Sequence, residues 1–343
     1  MALVIDPRFP GGTSSAVARE LHAISTQVRP QICAIESRMF KGRGVARAVA
    51  DACHALELPM DWDPLSVSAD LVVLHNPSFL KFNASLDTRI IARHLVVVAH
   101  ENFLRPGGHE AFDVLGCLGR IDQASVALRK SIAPVSEHNR KIVEEWLAND
   151  RLFRHWDVLD ENWFNICDFD LKAPTRKPAD RRGRLSRPGF EKFPKTEDLD
   201  LCFSEVAEKN VILGADTLIY HGIRRPHWTL LKFAEIAPEQ FFGMIDFMVY
   251  FTAPTWRESF GRVIAEAIAA GKVVICDRAT GSSFPGAVLT ASPKQVDQLI
   301  FEMINNPEKY VKQVKRAQGV LANFSSRRFI DLFSSTLQGA KKP

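Results

Sequence analysis

Short apolar runs alternate with amphipathic stretches along most of the chain. The apolar runs are typical of strands that are buried on both faces, and the stretches that follow carry apolar residues every three or four positions, which predicts helices. This alternation is typical of a doubly wound parallel sheet. The predicted strands are 2–5, 31–35, 71–74, 94–99, 131–134, 182–185, 211–213, 246–251 and 273–275.

Several helical stretches have recognisable ends. Ser136 can cap a helix over 139–147, because a serine hydroxyl accepts a hydrogen bond from a first-turn backbone N–H. Val263 and Ile264 begin the apolar face of another helix, which is predicted to end at Gly271, where a C-cap glycine is expected. Further helices are predicted through 17–24, over 197–207 and over 297–322.

The length of the chain indicates two domains, because 343 residues are too many for one typical hydrophobic core. Proline and basic residues concentrate in 172–182, which we interpret as the linker. The predicted fold is α/β, with two Rossmann-like doubly wound domains over 1–171 and 183–325. Residues 326–343 are predicted to form a C-terminal helix that returns to the first domain. Because parallel sheets bind ligands at the carboxyl ends of their strands, we expect the site in a central cleft.

Composition narrows the function classes only slightly. A hydrophobic content of 46% with 24% charged residues is typical of a globular protein, and a net charge of +4 does not by itself indicate a nucleic-acid partner. The six cysteines form no C-x-x-C pair, so neither a zinc site nor a disulfide framework is predicted. No apolar run approaches the ~18 residues needed to span a membrane, and the N-terminus has no signal-peptide pattern. These features predict a cytoplasmic protein.

Two acids after the strand 246–251 are the first candidate site. Glu258 and Glu266 are eight residues apart, which on one continuous helix corresponds to about 12 Å of rise. They are therefore interpreted as two separate contacts on one elongated polar ligand, rather than as an acid pair that shares a proton. The backbone N–H groups of Ser259, Phe260 and Gly261 would lie between them at a helix N-terminus, which binds anions. Alternatively, both acids are ordinary solvated helix residues.

A pair of glycines follows the first strand. Gly11 and Gly12 permit positive φ and expose backbone N–H groups, as a phosphate-contacting loop requires. The G-x-G-x-x-G dinucleotide pattern is missing here, and a structural tight turn is the alternative.

A basic loop follows the first strand of the second domain. Arg184, Arg187 and Lys192 can neutralise a diphosphate, since arginine offers two parallel donors and lysine a point charge. The alternatives are a solvated basic loop or a nucleic-acid patch formed by 172–195, although no interleaved aromatic residues accompany it.

Histidines end two further strands. His75 and His100 can each exchange a hydrogen bond or a proton with a sugar hydroxyl. A hydrogen-bonded structural histidine is the alternative for either one.

Together these motifs resemble the GT-B glycosyltransferases, and among them the retaining glycosyltransferase family four. The segment from Glu258 to Ile275 is similar to the family's E-x7-E motif and its E-A-x-A-x-G-x-x-V-I continuation. Gly11 and Gly12 match its first-strand glycine loop, and the segment 183–192 is similar to its G-R-x-S…K diphosphate clamp. The resemblance extends over nearly the whole chain, with the first domain as acceptor domain and the second as donor domain.

Carried over by position, the resemblance implies a role for each motif residue. Glu258 would hold hydroxyls of the donor sugar, and Glu266 the ribose of the nucleotide. Lys192, with Arg184 or Arg187, would neutralise the diphosphate. Gly12 would approach the diphosphate, and His100 would face the donor sugar. The implied catalytic residues are His100 and Glu258, and the implied donor-binding residues are Gly11, Gly12, Arg184, Arg187, Lys192, Glu258, Ser259, Phe260, Gly261 and Glu266.

The activity implied by the resemblance is transfer of a hexose from a UDP- or GDP-sugar to an acceptor hydroxyl, with retention and without a metal ion or cofactor. The acceptor would be a saccharide, a lipid-linked sugar or a small molecule, as in polysaccharide or glycoconjugate biosynthesis. A lipid-linked acceptor would bring peripheral contact with the inner face of the membrane; nucleic acid is not expected as a partner. A catalytically silent sugar-nucleotide binder, or an epimerase or hydrolase of the same fold, remains open.

Overall fold

The computed structural model describes residues 1–9, 11–150 and 152–341. These residues form two compact units, each built around one parallel sheet. The first unit comprises Met1–Ile166 and the segment from Phe324 onward, and the second comprises Cys167–Asn323.

The first unit contains a seven-stranded parallel sheet in the order β3-β2-β1-β4-β5-β6-β7. The central strand β1 is buried along its whole length, because helices cover both faces of the sheet. Its strands are β1 (Ala2–Ile5), β2 (Gln31–Ala34), β3 (Met60–Trp62), β4 (Ser66–His75), β5 (Arg89–Ala99), β6 (Ser125–Pro134) and β7 (Asp157–Val158). Its first four helices are α1 (Gly12–Ile24), α2 (Arg47–Ala55), α3 (Val114–Ala124) and α4 (Glu137–Asn149).

The second unit contains a six-stranded parallel sheet in the order β10-β9-β8-β11-β12-β13. Its strands are β8 (Arg181–Leu185), β9 (Lys209–Leu213), β10 (Trp228–Leu231), β11 (Phe247–Tyr250), β12 (Val273–Cys276) and β13 (Leu289–Thr290). Its helices are α5 (Thr196–Cys202), α6 (Asp216–Tyr220), α7 (Pro238–Gly243), α8 (Arg262–Ala269), α9 (Arg278–Gly281), α10 (Val296–Asn305) and α11 (Pro307–Leu321). The last helix, α12 (Ser326–Lys341), belongs to the first unit.

The predicted α/β class and all nine predicted strands are confirmed. The four strands that the sequence did not predict, β3, β7, β10 and β13, are short edge strands, whose sequences carry less apolar patterning. The predicted cap is also present: the Ser136 hydroxyl accepts a hydrogen bond from the Asn139 backbone N–H at 3.1 Å.

Two predicted helices were too long. The helix predicted over 197–207 ends at Cys202, and the next carbonyl, that of Phe203, accepts the indole N–H of Trp228 at 2.8 Å. The helix predicted over 297–322 is divided at Pro307, which lacks the N–H that a continuous helix needs. Asn306 caps the second piece through the Lys309 backbone N–H at 3.1 Å.

The segment predicted as a linker, 172–182, is bound to the second unit along part of its length. The Lys172 backbone N–H donates to the Ala269 carbonyl at 2.7 Å, and the Ala179 backbone N–H donates to the Asp246 carboxylate at 3.0 Å. Strand β8 begins at Arg181, inside the predicted linker.

Candidate functional site

The second unit has a natural ligand position above β8 and β11. These strands are neighbours at the centre of the sheet, and the chain proceeds outward from them in opposite directions, through β9 and β10 on one side and β12 and β13 on the other. Open α/β sheets bind ligands at such a switch point, beyond the carboxyl ends of the strands. The loops that leave β8 and β11 carry most of the residues predicted from the sequence.

A largely buried ion pair joins these two loops. Lys192 follows β8, and its Nζ donates a hydrogen bond to Glu258 Oε1 at 2.6 Å. The Tyr250 hydroxyl, at the end of β11, donates to the same oxygen at 2.7 Å. The Lys192 ammonium also lies 4.5 Å from the centroid of the Trp256 ring, close enough for a cation–π contact. The structure therefore brings the predicted Lys192 and Glu258 together, and adds Tyr250 and Trp256 to them.

The electrostatics of this cluster keep Glu258 ionised. Burial raises the pKa of Glu258, but the charge and hydrogen bond of Lys192 and the hydrogen bond of Tyr250 outweigh burial and hold that pKa below its ordinary value. Burial and the nearby Glu258 carboxylate raise the pKa of Tyr250 well above its ordinary range, so the phenol remains a donor.

Arg184 stabilises the loops that carry this cluster. Its side chain is fully buried, and it donates to the backbone carbonyls of Phe251, at 2.6 Å, and of Lys192. Its guanidinium lies 4.4 Å from the centroid of the Tyr250 ring. Both terminal nitrogens thus bond to backbone carbonyls, and one of these bonds fixes the backbone at Lys192. The diphosphate contact predicted for it remains a prediction.

Arg187 has the opposite environment. It is exposed, and no hydrogen bond or ion pair joins its side chain to another residue within the described part of the chain. Of the two arginines that the sequence left open, Arg187 is the one whose donors are available to a ligand.

Glu258 and Glu266 do not lie on one continuous helix. Helix α8 begins only at Arg262, and Glu258 lies in the preceding loop, because Gly261 adopts a left-handed conformation with φ of 86° at the N-cap. Alanine at this position would be strained and would bring its Cβ to 3.1 Å from Ile264 Cδ1. The rise of about 12 Å derived from helix geometry therefore does not describe this pair.

Glu266 is placed within α8. It is partly exposed and accepts a hydrogen bond from Arg262 Nε at 2.9 Å across one helical turn. The Arg262 guanidinium lies 5.5 Å from the centroid of the Phe169 ring. The ribose contact predicted for Glu266 remains a prediction, as do the ligand contacts predicted for the backbone of Ser259 and Phe260.

In the first unit, the glycine pair starts α1. Gly11 is the N-cap with φ of 87°, and Gly12 is the first helical residue. No side chain caps this helix, and the backbone at Gly12 is open: a Cβ built there meets no atom within 4 Å. The predicted phosphate contact is compatible with this geometry and remains a prediction.

The two predicted histidines meet at the carboxyl edge of the first sheet. His75 Nδ1 lies 3.0 Å from His100 Nε2, and His75 Nε2 lies 3.2 Å from Glu20 Oε1. The other Glu20 oxygen accepts the indole N–H of Trp163 at 2.9 Å. Burial, and then the charge that His75 can carry, hold the pKa of His100 well below its ordinary value, which favours a neutral ring.

The sequence did not point to Tyr250, Trp256, Glu20 or Trp163. Tyr250 ends an apolar strand and was interpreted as core. Glu20 was detectable, because it lies three residues after Val17 on the apolar face of α1, where a carboxylate needs a buried partner.

The described residues contain neither a metal-binding cluster nor a membrane-spanning helix. Among the described residues, no group of three or more histidine, cysteine or acidic side chains is arranged to hold a metal ion. Nor does any helix in residues 1–9, 11–150 and 152–341 have the length and apolar character to cross a membrane. All six cysteines are buried, and none forms a disulfide.

No protein-family model and no curated protein matches the chain in sequence. Solved structures do match its fold. HepE of Anabaena in complex with UDP and glucose has a TM-score of 0.65 at 15% identity, over 98% of this chain and 99% of that chain. The trehalose-6-phosphate synthase of E. coli bound with UDP-2-fluoro glucose has a TM-score of 0.62 at 11% identity, over 100% and 99%.

A third structure, the pneumococcal O-GlcNAc transferase GtfA in complex with UDP and GlcNAc, has a TM-score of 0.54 at 14% identity. It matches 89% of this chain and 62% of its own. The chain therefore has the GT-B fold, with two Rossmann-like parallel-sheet domains, as the sequence predicted. At these identities the likeness is one of fold.

Proposed function

We propose that the chain is a glycosyltransferase that moves a hexose from a nucleoside diphosphate donor to an acceptor hydroxyl. The observation that carries the proposal is the largely buried Lys192–Glu258 pair, beyond the carboxyl ends of β8 and β11 and next to the N-terminus of α8. It combines a cation for a diphosphate with a carboxylate for sugar hydroxyls. The structures with the same fold are named as complexes with UDP and sugars, which supports this ligand class.

Lys192 can bind a diphosphate without giving up Glu258. An ammonium has three donors, of which the ion pair uses one, so two remain for phosphate oxygens. Arg187 adds an exposed guanidinium that can bind phosphate through two parallel hydrogen bonds. The first-turn amides of α8, behind Gly261, add a third favourable element for an anion.

Glu258 can accept hydrogen bonds from sugar hydroxyls. A carboxylate can accept about four hydrogen bonds, and the bonds from Lys192 and Tyr250 both end on Oε1. Because the pKa of Glu258 is held below its ordinary value, the group is an acceptor at neutral pH. Glu266, partly exposed on α8, is proposed to bind the ribose hydroxyls.

The reaction follows from where charge develops. The bond between the anomeric carbon and the phosphate oxygen breaks, so positive charge grows on the sugar and negative charge on the leaving diphosphate. Fixed donors such as Lys192 stabilise that leaving charge without reorganisation during the step. With retention, the acceptor hydroxyl forms the new bond on the face that the phosphate leaves, and its proton passes to the departing phosphate oxygen.

This chemistry uses no carboxylate pair of the glycosidase type, and the proposal includes neither a metal ion nor an organic cofactor. UDP is the first donor nucleotide to test, with GDP as the second. The acceptor is proposed to be a saccharide, a lipid-linked sugar or a small molecule. A cytoplasmic location is proposed as well, with peripheral membrane contact in the lipid-linked case and no nucleic-acid partner.

The test is nucleotide release from a panel of UDP- and GDP-sugars, with and without candidate acceptor saccharides. Acceptor-dependent release by the wild-type protein, and its loss in Glu258→Gln and in the Arg184→Ala/Arg187→Ala pair, is the expected result. Lys195→Ala, which removes an exposed lysine near Lys192, is the matched control and should retain activity.

Other outcomes would identify the alternatives. Nucleotide release or sugar conversion without any acceptor would indicate a hydrolase or an epimerase. Thermal stabilisation by a sugar nucleotide, by about 2.7 kcal/mol at 100 times Kd, without turnover would indicate a silent binder. Unchanged turnover in Glu258→Gln would exclude the proposed site.

A further inference from the structure

Four side chains of the first unit form one continuous line of hydrogen bonds. Trp163 donates to Glu20 Oε2 at 2.9 Å, Glu20 Oε1 lies 3.2 Å from His75 Nε2, and His75 Nδ1 lies 3.0 Å from His100 Nε2. Trp163, Glu20 and His75 are each at most 4% exposed, whereas His100 is partly exposed. We call these four residues the histidine relay. Its outer end is His100 Nδ1, which bonds to no residue in the described part of the chain.

The direction of each hydrogen bond follows from the chemistry of the buried end. An indole N–H can only donate, and a carboxylate can only accept. His75 Nε2 must therefore carry a proton to face Glu20. In a neutral imidazole the other nitrogen is then an acceptor, so His75 Nδ1 accepts from a proton on His100 Nε2. By the same rule His100 Nδ1 is left without a proton.

We infer that the histidine relay fixes His100 as a neutral ring whose Nδ1 accepts a hydrogen bond from a hydroxyl of a bound sugar. Glu20 and His75 are then positioning residues that act through His100, whereas Trp163 holds the Glu20 carboxylate in place. The sugar assignment rests on the proposed function, whereas the proton positions rest on the relay alone. The neutral form is also supported by the pKa of the His100 ring, which partial removal from water and then the nearby His75 hold well below its ordinary value.

Trp163, at the buried end of the relay, is held in place by packing. The Trp163 ring packs edge-to-face on Phe329 of α12, with 5.3 Å between the ring centroids. Both are almost completely buried. The indole therefore cannot turn away from Glu20 without disturbing the core, and the donor at the start of the relay is permanent.

The first test is nitrogen NMR of the full chain with labelled histidine at neutral pH, with the His100 signals assigned by their loss in His100→Ala. We expect a protonated Nε2 and a bare Nδ1 for His100. A protonated Nδ1 with a bare Nε2 would overturn the inference. This measurement needs no substrate, so its result does not depend on whether the proposed function is correct.

The second test reverses the relay. In Glu20→Gln the amide oxygen must face the Trp163 donor, so the amide NH₂ faces His75 and donates to it. Every following bond then changes direction, and His100 Nδ1 becomes protonated. We expect KM for the sugar substrate to rise about tenfold or more, because a protonated Nδ1 can no longer accept a hydrogen bond from the sugar hydroxyl.

A double variant separates this effect from simple damage to the core. In Glu20→Gln/Trp163→Phe the amide is free to turn its oxygen towards His75. The original proton positions should then return, and KM should fall part of the way back to the wild-type value. Trp163→Phe alone is the matched control and should keep the wild-type proton positions. If the double variant is worse than Glu20→Gln in both measurements, the relay has only a structural role. If Glu20→Gln does not fold, the NMR spectrum of the wild type decides.

Discussion

The two units share a strand order around their central strands, yet they place different chemistry at the carboxyl edges of their sheets. In the second unit the edge carries fixed charges, with Lys192 and Glu258 paired. In the first unit it carries two imidazoles whose protons can occupy either of two nitrogens, with Glu20 behind them.

The difference shows how a buried polar group can be made specific. A buried charge needs an oppositely charged partner or hydrogen-bond donors, and a group paired with an opposite charge remains charged over a wide pH range. A neutral ring costs less to bury, but its function depends on a neighbour that decides where its proton lies. The second unit is thus suited to a ligand with permanent negative charge, and the first to a neutral hydroxyl. The predictions below test the charged edge, with the histidine relay as the contrasting case.

The largest effect is expected for Lys192→Met. This change leaves Glu258 as a largely buried carboxylate without its cation, which should lower the free energy of unfolding by about 3 kcal/mol. Turnover should fall by about 100-fold, because the leaving diphosphate loses a fixed cation. Denaturant unfolding and steady-state nucleotide release measure the two effects.

Lys195→Met is the control for Lys192→Met, since Lys195 is exposed. It should change stability by no more than about 0.5 kcal/mol. Equal effects in the two variants would show that the Lys192–Glu258 pair has no special role.

The next largest effect should distinguish the two arginines. Arg184→Leu leaves the carbonyls of Phe251 and Lys192 without a donor, and should lower the free energy of unfolding by about 2–3 kcal/mol. Arg187→Ala should leave stability within about 0.5 kcal/mol. It should instead raise KM for the sugar nucleotide about tenfold, which corresponds to about 1.4 kcal/mol.

Thermal unfolding and substrate titration of both arginine variants provide the comparison. If instead Arg184→Leu changed only KM and Arg187→Ala changed only stability, Arg184 would be the residue that contacts the diphosphate.

A smaller, pH-dependent effect is expected for Tyr250→Phe, which removes one hydrogen bond to Glu258. A hydrogen bond to a charged group contributes about 1.5 kcal/mol. Because the folded pKa of Glu258 lies below its ordinary value of 4.5, this stability is present above pH 4.5 and is lost as the pH falls through the folded pKa.

The free energies of unfolding of Tyr250→Phe and the wild type should therefore differ at pH 7 and converge in acid. Chemical denaturation between pH 7 and pH 3 measures this difference. A difference that stays constant down to pH 3 would mean that the Tyr250 hydroxyl stabilises something other than ionised Glu258.

The smallest effect concerns the glycine pair. Gly12→Ala should raise stability by up to about 0.5 kcal/mol, since Gly12 is helical and its Cβ has free space. Gly11→Ala should lower stability by about 1 kcal/mol, because φ is 87° there. If the backbone at Gly12 approaches a diphosphate, Gly12→Ala should also raise KM. An unchanged KM would indicate that the glycine pair forms only a structural tight turn.

Much of the fold could be predicted from the sequence, because central parallel strands are buried on both faces and appear as unbroken apolar runs. Edge strands such as β3 and β13 lack that signal. The end of α5 was missed for another reason: it depends on Trp228, which is 25 residues away in sequence from the Phe203 carbonyl it binds.

Site residues could be predicted from the sequence where charged residues lie in a loop that follows a predicted strand. Lys192 and Glu258 are polar residues that follow strands; the structure pairs them, and their ligand contacts remain predictions. The choice between Arg184 and Arg187 was not predictable, because it depends on which side of β8 faces the interior. Arg182 and Arg184 both point inward in this strand, contrary to the usual pattern of apolar interior residues.

The placement of α12 has a consequence for biosynthesis. The second unit is one contiguous segment, Cys167–Asn323, and can fold as soon as it leaves the ribosome. The first unit must wait for the segment from Phe324 onward, although its other residues are made first, because Phe329 packs on Trp163 and Phe324 on Phe164. Until the residues from Phe324 onward have been synthesised, Trp163 and Phe164 therefore lack their aromatic partners on that segment.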